Sequence, residues 1–239
     1  MEIKDLVPMP FEEAIKAFSK TVVLTPEEYN LLTEECKNKA FTVAGVSKLD
    51  ILNDVWNELD QVMQEGTPLR EFQKNVDSLF AKKGWSKDDR PKAYRIENIY
   101  RTNIQKNFSA GRFKQQTDPE VVKNRPFWEY DAIDDSKTRP SHKQLNGVVK
   151  RYDDPFWDTY YPPNGFQCRC GVRSRSARDL DRKGLEVTED IPKLPSSGKE
   201  VKPDKGWATN PALEMWQPDL SKYPKSLSDK FRQERGERR

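Results

Sequence analysis

FWEYDAIDDSKTRPSHKQLNGVVKRYDDPFWDTYYPPNGFQCRC, residues 127–170, is the stretch on which the reading of this chain turns. It contains His142, the only histidine, and two of the three cysteines, Cys168 and Cys170. Nine of the 25 Phe, Trp and Tyr residues fall within these 44 of 239 positions. Ligating side chains and large aromatics gathered this closely point to a small, specialised core. Phe127-Trp128-Glu129-Tyr130 alternates and predicts a strand. A short helix is expected over 141–146, ended by Gly147, and a second strand over 148–152. Residues 155–161 read as an aromatic, irregular loop, and Pro162-Pro163-Asn164-Gly165 as a turn. Residues 166–172 predict a final strand.

The spacing Cys168-x-Cys170 has a geometric consequence. On a strand, side chains at i and i+2 share a face, so both sulfurs can reach one metal ion. His142 and Asp135 would complete a tetrahedron, as one structural zinc ion requires. A disulfide between the two is disfavoured, because alpha carbons two apart on a strand lie about 6.6 Å from each other. The alternative is a pair of reduced thiols packed against aromatics, with His142 bonded to an aspartate. Catalysis has weaker support. The Cys, His and Asp residues offer the types of a nucleophile set or of a metal-assisted hydrolase. No Gly-rich phosphate cradle is present, and no catalytic residue is assigned.

Working outward towards the N-terminus, residues 92–116 predict a long helix. Ile96, Tyr100, Ile104 and Phe108 recur every four residues, with Ile99 widening the stripe. Six bases oppose the single acid Glu97, a net charge of +5. Arg95, Arg101, Lys106, Arg112 and Lys114 are therefore candidates for contact with DNA phosphates or an acidic partner. A solvated helix face is the plainer reading of the same charges. Further back, 11–20 carries one apolar face. Thr25-Pro26 with Glu28 is a capping box opening a helix through Tyr29, Leu32 and Cys36. Two more helices form a hairpin, one from about Lys48, capped by Ser47 and ended by Gly66, the other from Thr67-Pro68 to Gly84. Cys36 reads as a buried small hydrophobe.

Beyond residue 179 the chain turns polar, with six prolines in 61 residues and a linker-like stretch over 192–198. Trp207, Leu213, Met215 and Trp216 are candidates to anchor this tail on the core. Residues 222–239 carry a net +4, suited to a frayed end or to an arm for DNA or a partner. Hydrophobic and charged residues are each 34% of the chain and the net charge is +3. That charge alone does not argue for nucleic acid. No apolar run of about 20 residues exists, so no transmembrane helix is expected. The first residues lack the apolar region of a signal peptide, so synthesis in a cytoplasm is expected. Three cysteines do not make a disulfide framework.

Several blocks resemble one family, the phage Mu F-type minor head proteins, or phage head morphogenesis domain. The first block is Tyr100-Arg101-Thr102-Asn103 with Ala110-Gly111-Arg112. The second is Trp128-x-Tyr130, then Asp135-Ser136-x-Thr138-Arg139-x-x-His142 and Leu145-x-Gly147. The third is Pro162-Pro163-Asn164-Gly165-Phe166-x-Cys168-x-Cys170. The segment from Asp204-Lys205-Gly206-Trp207 to Asn210-Pro211 is similar to a further recurring stretch, with Ala212 where a glycine is common. The resemblance implies a minor capsid protein found inside the virion head, and in the host cytoplasm during assembly. Its implied partners are the portal and other capsid proteins, and double-stranded DNA. No membrane partner is implied.

The expected architecture is α+β: a helical N-terminal half, a compact domain with a small sheet, and an extended polar tail. The expected divisions are 1–91, 92–178 and 179–239. Two other functions compete with head morphogenesis: a virion-carried enzyme or toxin-like effector using His142 with the Asp and Cys residues, and a zinc-stabilised DNA-binding module.

Overall fold

A computed structural model describes residues 11–84, 93–212 and 224–234. The chain is α+β, with two compact units, one formed by Met1–Asn107 with Met215–Arg239 and the other by Phe108–Glu214.

The first unit opens with α1 (Glu12–Ser19), β1 (Val22–Val23), α2 (Pro26–Asn30), α3 (Glu34–Lys37) and β2 (Ala40–Phe41). The capping box of Thr25 and Glu28 forms as expected. The single helix expected after it is instead two short ones, α2 and α3, and Thr33 Oγ1 lies 3.0 Å from the buried Cys36 sulfur. Strands β1 and β2 pair in parallel, which the sequence did not signal. The predicted hairpin is α4 (Leu49–Glu65) and α5 (Leu69–Lys82). Lys48 and Pro68 hold the N-cap positions without side-chain bonds, so Ser47 does not cap α4. Ile51, Leu52, Val55 and Leu59 of α4 meet Phe72, Val76 and Phe80 of α5 in one buried core, which Phe18 and Ile96 join. Apolar burial of this kind contributes about 25 cal/mol per Å2 of area removed from water.

Helix α6 (Ala93–Gln116) is the long basic helix the sequence predicts, and the boundary between the two units falls within it. Next come α7 (Pro119–Asn124), β3 (Phe127–Asp131), α8 (Pro140–Leu145), β4 (Val149–Arg151), α9 (Phe156–Tyr160), β5 (Gly171–Arg175) and α10 (Ala177–Lys183). Asp118-Pro119 ends α6 and also starts α7, with the Asp118 carboxylate accepting from Glu120 N. Helix α10 starts on a second capping box, Ser176 with Asp179.

The sheet order is β4-β3-β5, antiparallel throughout. Alternation along β3 sends Trp128 and Tyr130 into the core, while Glu129 and Asp131 meet Arg175 and Arg173 at 2.5 and 2.7 Å. Trp128 is the centre of that core. Phe113, Trp157 and Tyr161 pack their rings 5.5–5.6 Å from it, all in edge geometry. Such pairs add about 0.5–1.5 kcal/mol each beyond burial.

Two expectations fail here. Residues 155–161 are not an irregular loop but carry α9, whose first turn is held by Phe156 N donating to the Asp154 carboxylate at 2.8 Å. The final strand begins at Gly171, so neither cysteine lies on it. Gln167 takes a left-handed φ of 55° and Cys168 N donates to Gly165 O, making 165–168 a tight turn.

The extended polar tail is anchored at points along its length. Val201 is fully buried, and Asn210 donates through its amide to Trp157 O at 3.1 Å. Helix α11 (Lys225–Glu234) belongs to the first unit, where Leu227 packs with Val22, Leu24 and Ala40. Leu213, Met215 and Trp216, proposed as anchors, lie outside the described residues, as do Lys92 and 235–239.

Candidate metal centre

His142 sits in α8, which Gly147 and its neighbours hold against β3. Gly147 adopts φ +79°, a conformation that favours glycine, and so donates its N–H to Tyr130 O at 2.9 Å. This turns α8 back over the sheet and buries His142 and Leu145. The tight turn at 165–168 brings the cysteines up from the other side. His142 Nδ1 lies 3.7 Å from Cys168 Sγ and 3.6 Å from Cys170 Sγ. Among the described residues, these three side chains form a group whose ligand atoms all lie within 4.8 Å of one another. All three are buried, at 2%, 5% and 2% exposure, and no cysteine is in a disulfide. Such a set of one imidazole and two sulfurs can hold a metal ion.

The electrostatics of the pair are asymmetric. A hydrogen bond from Cys170 pulls the Cys168 thiol down; burial opposes this, and bonds with His142 and the Asn164 backbone reinforce it. The same bond with Cys168, together with burial, pushes Cys170 up. Tyr130 donates to Asn164 Oδ1 at 2.7 Å, and burial raises its pKa well above the ordinary value. His142 Nε2, Asn164 Nδ2 and Trp128 Nε1 are buried without a hydrogen-bond partner among the described residues.

Asp135, expected as the fourth ligand, does not join them. Its Oδ1 accepts from Arg169 at 2.6 Å, from Lys137 N at 2.9 Å and from Thr138 N at 3.0 Å. Arg169, first among these, holds the Asp135 carboxyl well below the usual carboxylate range. Asp134 is spent on Lys143 at 2.8 Å. Asp135 thus ties the loop leading into α8 to the residue between the two cysteines. Arg169 was missed in the sequence; the signal available was a charge on the side of the segment opposite two ligating sulfurs.

Arg139 donates to Phe166 O at 3.0 Å and pairs with Asp204 at 3.2 Å. A Cβ on Gly165 would overlap the Asp204 carboxylate, so any side chain there would force Asp204 to shift from its pair with Arg139. Asp204 N donates to Asn164 O, Asn210 N to Asp158 O, and Trp207 meets Phe166 edge-on at 5.0 Å. The segment 204–210 is therefore a strap across the loop that carries the cysteines. Thr138 and Pro163 lie beside these contacts, with Thr138 Oγ1 bonded to Asp135.

The basic residues of α6 do not form one free surface. Arg95 donates to Ala44 O, Arg101 pairs with Glu97 at 2.6 Å, and Lys106 donates to Lys37 O at 2.8 Å. Burial pushes the Lys106 ammonium down to about 7, with Lys39 contributing. Arg112 and Lys114 are exposed.

Comparison with known proteins gives the family. The family described as Phage Mu protein F like protein matches residues 53–173, half of the chain. The putative capsid assembly protein F of Escherichia phage Mu is 32% identical over 194 residues, covering 75% of this chain and 44% of that protein. The Mu-like prophage FluMu F protein of Haemophilus influenzae is 35% identical over 164 residues, covering 65% and 39%. The match to these curated relatives thus spans less than half of their length. No solved structure matches.

Proposed function

Because this chain belongs to the Phage Mu protein F like family, we propose that it is a minor head component of a phage or prophage. It acts with other head proteins, near the portal, in assembly of the head and in packaging or delivery of DNA. Its setting is the virion head, and the host cytoplasm before that. No helix among the described residues is long and apolar enough to cross a membrane. The observation that carries this reading is the family match, which runs from α4 through the sheet and both cysteines. Any contact with DNA phosphates falls to the exposed Arg101, Arg112 and Lys114, because Arg95 and Lys106 donate to backbone carbonyls of the protein. The test is deletion of the gene from the phage. Major capsid protein should be made normally while infectious particles fall to a small fraction. Full infectivity without the chain would overturn the assignment.

The ion suited to His142, Cys168 and Cys170 is zinc, held as a crosslink between segments of the fold. Around a tetrahedral Zn2+, with Zn–N of about 2.0–2.1 Å and Zn–S of about 2.3 Å, each N···S edge is about 3.6 Å. The distances here are 3.6 and 3.7 Å. A single small sheet with a compact aromatic core gains from such a crosslink between α8 and the segment before β5. Asp135 and Arg169 position the two halves without touching the ion.

A further inference from the structure

We infer that the metal centre has three protein donors and takes its fourth ligand from solvent, as an exchangeable oxygen. The inference rests on the metal reading above. Its argument is an inventory of donors. The whole chain has one histidine and three cysteines, so no further imidazole exists anywhere in it. The third cysteine, Cys36, belongs to the other unit and is buried against Thr33 Oγ1. The nearest acid in sequence logic, Asp135, has its Oδ1 occupied by Arg169, Lys137 N and Thr138. Asp134 pairs with Lys143, and Asp204 with Arg139. Among the described residues, no carboxylate oxygen joins the group within 4.8 Å.

A tetrahedral ion bound by three donors keeps one position open for a non-protein ligand, and sites of that kind exchange it. Cys168 lies between Gln167 and Arg169, both exposed, while the three donors themselves are buried. The buried amide nitrogen of Asn164, without a partner among the described residues, supplies a hydrogen-bond donor beside the cysteine loop for an oxygen ligand. Water or hydroxide is the ligand class, and small anions that replace water on such ions should compete for it.

The protein rival for the fourth position is the Tyr130 phenol, which contacts Cys170. The experiment uses the full chain with Co2+ in place of zinc, titrated with sodium azide while the visible bands are recorded. Metal content is checked after desalting. The wild type should hold about one Co2+ per chain, and its bands should shift saturably with azide while the metal stays bound. Tyr130→Phe, which also releases Asn164 Oδ1, should still hold the metal and still shift saturably with azide. Bound cobalt with bands indifferent to azide in both proteins would overturn the open position and leave the metal reading intact. A shift with azide in Tyr130→Phe that the wild type lacks would make the phenol the fourth donor, also overturning it. Failure to retain any metal would overturn both.

Discussion

Asp135 stands outside the group of His142, Cys168 and Cys170, its Oδ1 accepting from Arg169, Lys137 N and Thr138. Its carboxylate is held low by Arg169 first, then by Lys137 N and Thr138. A depressed folded-state pKa stabilises above the unfolded value, about 3.9, and that contribution is lost as pH falls below it. Stability of the wild type should therefore decline with acid from about pH 4 downward, and Asp135→Asn should flatten that part of the curve. Denaturant unfolding at pH 7, 5, 4 and 3 measures it; identical acid slopes would remove the charge pair from the account. Gly165 is the other informative position. Gly165→Ala pushes a methyl into the Asp204 carboxylate and should cost about 1–3 kcal/mol by overpacking. Asp204→Ala in the same chain should recover part of that loss, because the two changes share one contact. Additive losses in the double variant would mean that the strap is not seated on this turn.

At the scale of elements, α4, α5 and α6 were legible because each carries an apolar stripe of helical period, such as Ile51, Leu52, Val55 and Leu59. Helix α9 was not, because five residues, Phe156–Tyr160, make little more than one turn, too short for a helical period to show. The start of β5 was misplaced because Gln167 turns left-handed, a local choice with no glycine to announce it. The ligand set was half legible. His142, Cys168 and Cys170 stand out by rarity, whereas the fate of Asp135 depends on Arg169, 34 residues away. The charge of α6 was visible but its use was not, since Lys106 spends its ammonium on Lys37 O. If α6 meets duplex DNA, Arg112→Glu with Lys114→Glu should weaken binding to any sequence and flatten its dependence on salt. Arg95→Ala and Lys106→Ala should instead lower stability while leaving the salt dependence unchanged. Filter binding across a salt series separates the two; equal effects from both pairs would contradict this division of roles.

For the molecule as a whole, the cluster of His142, Cys168 and Cys170 joins α8 to the segment before β5, and the strap 204–210 covers that same segment. If the cluster holds an ion, removing it should loosen the entire Phe108–Glu214 unit. His142→Ala, or a chelator on the wild type, should lower the melting temperature on the order of 10 °C, as loss of a few kcal/mol does in a unit of this size. The chelator should have no further effect on His142→Ala; a further drop there would show that the ion is bound elsewhere. The role in head assembly is tested most directly by where the chain resides. Purified proheads and mature virions of the phage that encodes it should be separated from free protein and analysed by quantitative mass spectrometry. The account predicts this chain in both, at a small fraction of the major capsid protein. Its absence from proheads and virions alike, in cells where it is expressed, would contradict the account.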